Sequence, residues 1–129
     1  MKAEAWVQAC LSERLGSAVR GSAPAQFQDP LVLHTVTGSV PVANGGAMDS
    51  EDATVSVSVV SASNATAKQV SRQVLETLDE AYTRDAQYAG CSPAFFQVQM
   101  LPVRQPATSA TDAQHSTQYD AIYRLIFAA

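Results

Sequence analysis

The chain has 129 residues, of which 47% are hydrophobic and 16% are charged, so it is long and apolar enough to fold around one hydrophobic core. Its formal net charge is -4 and its 8 Lys and Arg residues form no cluster, which argues against a basic surface that binds nucleic-acid phosphates. The two cysteines, Cys10 and Cys91, are too few and too far apart for a disulfide framework or a zinc site. We therefore expect one domain with free thiols in a reducing compartment.

The first predicted element is an amphipathic helix over residues 2–20. Apolar residues recur there at helical spacing, polar residues occupy the other faces, and Gly21 follows as a terminator. Because Glu4 and Glu13 interrupt this segment, we expect it to be neither a signal peptide nor a membrane anchor. The apolar stripe consists of Ala3, Trp6, Val7, Cys10, Leu11, Leu15, Ala18 and Val19.

A run rich in β-branched residues predicts a strand over about 31–37, which ends at Gly38. Residues 39–52 then form a long connection, whose length suits a protruding arm or hairpin better than a tight turn. The polar residues of this connection that we expect to meet a partner are Asn44, Asp49, Glu51 and Asp52.

The best-defined stretch is a strand followed almost at once by a helix. Valines alternate strictly with Thr and Ser and predict a half-buried strand over 53–60. The apolar spacing then becomes helical over about 64–82. Ser63 and Asn64 are both suitable N-caps, because their side-chain oxygens can accept from the free N–H groups of the first turn.

Two further strands are predicted in the C-terminal part, over about 94–103 and 117–127. A polar connection joins them, and its expected partner-docking residues are Thr108, Thr111 and Asp112. The last strand has apolar residues on both sides, so it is either buried on both faces or has one face in the core and one against a neighbour. The outer residues of this strand that we expect at a subunit interface are Ile122, Arg124 and Ile126.

The order helix, strand, strand, helix, strand, strand predicts a single α+β domain over residues 1–129. Its four-stranded sheet is packed by two helices, and long loops join the paired strands.

No set of residues in this sequence has the spacing of a known catalytic, cofactor-binding or metal-binding motif, so we predict no catalytic, cofactor or metal site. There is no Gly-x-Ser-x-Gly motif to expose a nucleophile. His34 and His115 have no second ligand at suitable spacing. The acidic group at 49–52 lacks the spacing of a twelve-residue calcium loop, and Asn44-Gly45-Gly46 lacks the helix and Lys of a phosphate loop.

In element order and lengths, nearly the whole chain resembles the tail-terminator family of long-tailed bacteriophages and the related tail-completion and neck proteins. The stretches that carry this resemblance are the helix around Ala5-Trp6-Val7, the strand Pro30-Leu31-Val32-Leu33-His34 ending at Thr37-Gly38, the strand Val55-Ser56-Val57-Ser58-Val59 with its capped helix, and the strand Tyr119-Asp120-Ala121-Ile122-Tyr123-Arg124-Leu125-Ile126-Phe127.

The resemblance implies a non-enzymatic virion protein without a cofactor, assembled in the host cytoplasm and located in the tail or neck. It implies a homo-hexameric ring that caps the finished tail tube, stops its polymerisation and meets the head-side connector. The partners implied are other copies of the chain, the major tail tube protein and a connector or stopper protein. DNA would pass through the lumen without specific binding, and no membrane is involved.

Two other interpretations remain open at this stage. A head–tail connector, neck or tail-completion protein of the same fold would occupy a neighbouring position in the particle. From a different class, a small α+β module could bind a ligand on its sheet, for which the strand faces offer only His34, Asp120 and Arg124.

Overall fold

Two α-helices cover one face of a mixed sheet in the computed structural model, which describes residues 2–22, 29–44, 47–105 and 117–128. Within these ranges the sheet has five strands in the order β1-β2-β3-β5-β4. The elements are α1 (Lys2–Leu15), β1 (Val19–Arg20), β2 (Leu31–Asn44), β3 (Ala47–Ser61), α2 (Asn64–Thr83), β4 (Phe95–Arg104) and β5 (Thr117–Phe127). The predicted α+β class with two helices is confirmed, whereas the predicted count of four strands is wrong.

The additional strand comes from the segment that was expected to continue the first helix. Helix α1 ends at Leu15, and Gly16 follows with a positive φ of 64°, a conformation that ends helices and that glycine adopts without a steric penalty. Val19 and Arg20 then pair in parallel with Val32 and Leu33 of β2. The predicted helix over 2–20 is therefore wrong beyond Leu15, and Val19 enters the core from a strand.

The connection over residues 39–52 is a hairpin, one of the two forms expected from its length, but β2 and β3 continue into it as paired strands and not as a loop. Their ladder runs from Leu31 opposite Val60 to Asn44 opposite Ala47. Gly38 does not end β2, since the change of register beside it is absorbed as a bulge in the ladder.

The outer end of this hairpin extends beyond the rest of the sheet. Strand β5 pairs with β3 from Ser61 only as far as Glu51, so residues 42–44 and 47–50 pair only with each other. We call these residues the hairpin arm. At about 3.3 Å per residue it extends roughly 10 Å past the sheet.

The core lies between the helices and the inner face of the sheet. Trp6 of α1 is fully buried and makes edge contacts with Tyr88 and Phe127, at centroid distances of 6.0 and 6.2 Å. Its Nε1–H donates to the carbonyl of Ala86 at 3.3 Å. The inner residues of β3 and β5, which alternate along each strand, are buried as well: Val55, Val57, Val59, Ala121, Tyr123, Leu125 and Phe127.

Helix α2 covers the predicted range and begins at one of the two predicted caps. The hydroxyl of Ser63 accepts from the backbone N–H of Thr66 at 3.3 Å. The side chain of Asn64 instead accepts from the Tyr119 hydroxyl at 3.2 Å.

Strand β4 forms an edge of the sheet and has two irregularities. Its register with β5 shifts between Val98 and Met100 and again between Met100 and Val103. Each shift moves the following residues to the other face. Met100, which simple alternation places beside Phe96 and Val98 in the core, therefore lies opposite Ile122 on the outer face.

Candidate functional site

One side of the sheet faces away from the two helices, and no other described element covers it. We call it the open sheet face. All three residues predicted at an interface lie on it and are half-buried, while their neighbours in sequence point into the core. The open sheet face includes Thr54, Ser56, Ser58, Phe95, Gln97, Met100, Ile122, Arg124 and Ile126. The sequence pattern of β5 thus reflects one core face and one outer apolar face.

The charged pair on this face is internally neutralised. Arg124 donates to the Asp52 carboxylate from Nε at 3.0 Å and from an Nη at 2.6 Å. Its guanidinium also lies 5.7 Å from the centroid of the Phe95 ring. The hydrogen bond from Arg124 lowers the pKa of Asp52, so the pair stays ionised at neutral pH. The face therefore combines apolar and hydroxyl side chains with a fixed ion pair.

The predicted acidic docking group is divided between the two faces of the sheet. Asp52 pairs with Arg124 on the open sheet face, whereas Glu51 accepts from the backbone N–H of Ala3 at 3.0 Å and holds the start of α1. Asn44 and Asp49 lie on the hairpin arm. Sequence reasoning identified this group but missed these two structural roles. The other predicted docking residues, Thr108, Thr111 and Asp112, lie outside the described residues.

A groove between α2 and β4 was missed by the sequence analysis. Leu101 at its β4 side is 62% exposed, whereas Val103, also exposed, is opposite Asp120 of the open sheet face. We call this surface the α2–β4 groove, and it is lined by Lys68, Ser71, Arg72, Leu75, Leu101, Pro102 and Tyr119. Simple alternation could not find it, because the bulges of β4 decide which side chains reach it.

A second cavity, beside β2, contains the buried His34. The His34 ring is 2% exposed, its Nε2 is hydrogen-bonded to the Gln8 side chain, and Glu4 and Gly21 also line the cavity. Burial lowers the pKa of His34, so the ring is neutral at pH 7.

The described part of the chain contains no group of three or more His, Cys, Asp and Glu residues able to hold a metal ion.

A third cavity lies between α1 and α2, where Cys10, Arg14, Thr77 and Glu80 are among the lining residues. Its cysteine is not an activated nucleophile. Burial raises the pKa of the Cys10 thiol to about 12, so the reactive thiolate is not populated at neutral pH. Arg14 donates to the Thr77 hydroxyl at 3.2 Å and lies 3.9 Å from Glu80. These side chains join the two helices.

The structure does not bring together His34, Asp120 and Arg124, the three residues considered for a ligand site on the sheet. His34 faces the helices, whereas Asp120 and Arg124 lie on the open sheet face. The Tyr123 hydroxyl is buried without a hydrogen-bond partner among the described residues, and its ring stacks on Phe96 at 5.8 Å.

Neither helix, over the residues described, is long and apolar enough to cross a membrane.

No protein-family model matches the chain, and no curated protein matches it in sequence. Its fold is similar to that of a chain in the solved structure "Virion of native gene transfer agent (GTA) particle", with a TM-score of 0.70 and 15% sequence identity. The match covers 99% of this chain and 98% of that chain. At this identity the likeness concerns the fold, and it extends over essentially the whole length of both chains.

Proposed function

We propose that this protein is a structural component of a phage-like virion, a ring-forming tail terminator that caps the tail tube and joins it to the head-side connector. The observation that carries the proposal is the full-length fold similarity to a chain of a gene transfer agent virion.

The surfaces of the subunit support assembly into a ring. A ring requires each copy to present two different surfaces that fit one another, because a contact between like surfaces stops at a dimer. The open sheet face and the hairpin arm provide one such surface. With its apolar side chains, small hydroxyl groups and internally paired Arg124, this surface can be covered by a neighbour without leaving that charge unpaired.

The charge of the chain suits a channel for DNA. The formal net charge of -4 and the scattered Lys and Arg residues provide no continuous basic lining that would bind phosphates and stop DNA from moving. We propose that DNA passes through the lumen without specific contacts.

The proposal is tested by the oligomeric state and by tail length. Mass photometry and negative-stain microscopy of the purified protein should detect closed rings of six copies, and adding the protein to growing tail tubes should stop their elongation. A persistent monomer that does not associate with tubes would contradict the proposal. A neck or connector protein of the same fold would instead bind the head-side connector, and a cryo-EM map of the particle distinguishes these two positions.

A matched pair of variants tests the open sheet face. Ile126→Asp places a charge in the proposed interface and should prevent ring formation. Gln87→Asp places the same charge on an exposed loop and should leave ring formation intact. Circular dichroism and thermal melting establish whether each variant is folded. Normal rings from folded Ile126→Asp protein would show that this face is not the interface.

A further inference from the structure

The α2–β4 groove has the properties of a docking surface for a segment that is both apolar and acidic. Leu101, 62% exposed, forms its apolar side together with Pro102. Lys68 and Arg72 form its basic side, and neither side chain has an ion-pair or hydrogen-bond partner within the described ranges. Two cationic side chains that no described residue pairs, beside exposed apolar surface, favour an occupant with carboxylates next to apolar side chains.

The occupant cannot readily add a strand to β4, although β4 is an edge. The two register shifts interrupt the regular spacing of its backbone groups, and Pro102 removes one N–H. The groove must therefore be filled by side chains of an element that already has its own backbone hydrogen bonds.

The hairpin arm fits this description. Its backbone is paired within the arm, so it needs no new ladder. Its sequence supplies Val42, Ala43, Ala47 and Met48 as apolar residues and Asp49 as a carboxylate. The arm therefore has the composition that complements the groove in both polarity and charge.

Arm and groove are too far apart to meet within one subunit. The arm leaves the sheet beyond Glu51, which is opposite Phe127, whereas Tyr119 in the groove is opposite Val59. The eight residues between Val59 and Glu51 correspond to roughly 26 Å along the strand, and the arm points away from the groove. An arm that enters the groove must therefore belong to another copy, in a head-to-tail contact of the type that closes rings.

We infer that the α2–β4 groove of each subunit receives the hairpin arm of the neighbouring copy, with Lys68 and Arg72 facing Asp49 of that arm. This inference rests on the proposed ring and names the complementary surface that the ring requires. Because the contact joins two different surfaces, each subunit both donates an arm and accepts one.

Cross-linking tests the contact directly. In a Cys91→Ser background, which leaves only the buried Cys10, the protein is prepared with Asp49→Cys, with Leu101→Cys and with both substitutions. A short-spacer bismaleimide should link the double variant into a ladder ending at the full ring, while each single variant stays monomeric on a denaturing gel. Rings of the double variant that remain unlinked would overturn the inference. So would dimers from either single variant, because they would mean that like surfaces meet.

A charge exchange tests the proposed ionic contact. Lys68→Glu combined with Arg72→Glu should raise the protein concentration needed for ring formation at least tenfold, and adding Asp49→Lys should restore most of the loss. Arg84→Glu, at the other end of α2, is the control and should have little effect. Unchanged ring formation by the first variant, or no rescue by Asp49→Lys, would overturn the inference and leave the proposed function standing. A monomeric wild-type protein would contradict both.

Discussion

Arg124 and Asp52 form a two-point hydrogen-bonded ion pair that joins β5 to β3 on the open sheet face. The distances are 3.0 Å from Nε to one carboxylate oxygen and 2.6 Å from an Nη to the other. Because the same guanidinium lies against Phe95 of β4, one side chain connects three strands. The pair fixes the geometry of the face that we propose as an interface, while its partial exposure limits its contribution to stability.

Replacing Asp52 should have a small and pH-dependent effect on stability. The folded state holds the pKa of Asp52 below its usual value near 3.9, so its stabilising effect is present above that pH and is lost as the pH falls through the lowered pKa. Asp52→Asn should therefore lower the melting temperature by no more than a few degrees at pH 7, and the difference from wild type should shrink near pH 3. A difference that stays constant down to pH 3 would contradict this assignment.

His34 should make the protein less stable in mild acid. Its folded pKa lies below the ordinary value of about 6.5 because the ring is buried, and nearby Glu4 opposes this shift only in part. Between the two pKa values the unfolded chain binds more protons, so stability falls as pH falls, by at most about 1.4 kcal/mol per pH unit. Urea unfolding at several pH values should give a smaller loss between pH 7 and pH 5 for His34→Gln. Equal losses in both proteins would refute this role of His34.

Trp6 and Leu101 should differ sharply in their contributions to folding. Trp6→Ala removes a fully buried side chain and its contacts with Tyr88 and Phe127, and should cost about 3–5 kcal/mol of unfolding free energy. Leu101→Ala, at a site 62% exposed, should change it by no more than about 0.5 kcal/mol. Urea denaturation measures both. If Leu101→Ala proved as destabilising as Trp6→Ala, Leu101 would have to belong to the core rather than to a docking surface.

Ser63 should stabilise the start of α2. Ser63→Ala removes the acceptor for the Thr66 N–H and should cost about 1 kcal/mol. Ser63→Asp restores an acceptor and places a negative charge at the helix N-terminus, so it should recover most of the loss. Thermal melts of the three proteins measure the effect, and a melting temperature unchanged by Ser63→Ala would show that the hydroxyl does not act as a cap.

Local sequence patterns predicted the elements in which hydrophobic residues recur with a regular period. The alternation over 117–127 and the helical spacing over 64–82 correspond to β5 and to nearly all of α2. Ser63 was one of two suitable caps, and only the packing of β5 shows why Asn64 is not used, since its side chain accepts from Tyr119 instead.

The local sequence pattern did not predict the conformation of segments that depend on the strand they pair with. Gly38 was interpreted as a strand end, but a long antiparallel ladder absorbs it as a bulge because each added pair supplies further backbone hydrogen bonds. Val19 fitted a helical stripe as well as it fits a strand, and the edge of β2 determined the outcome.

By itself, the sequence of this protein determined the fold class, the main helix and the two-sided character of the last strand, because these follow from hydrophobic periodicity within one segment. Only the tertiary structure decided the fifth strand, how far the hairpin arm is paired, the pairing of Asp52 with Arg124 and the groove between α2 and β4. Each of these depends on contacts between residues far apart in the chain, where register and bulges choose which side chains meet. Among the proposed assembly surfaces, the α2–β4 groove is of this second kind.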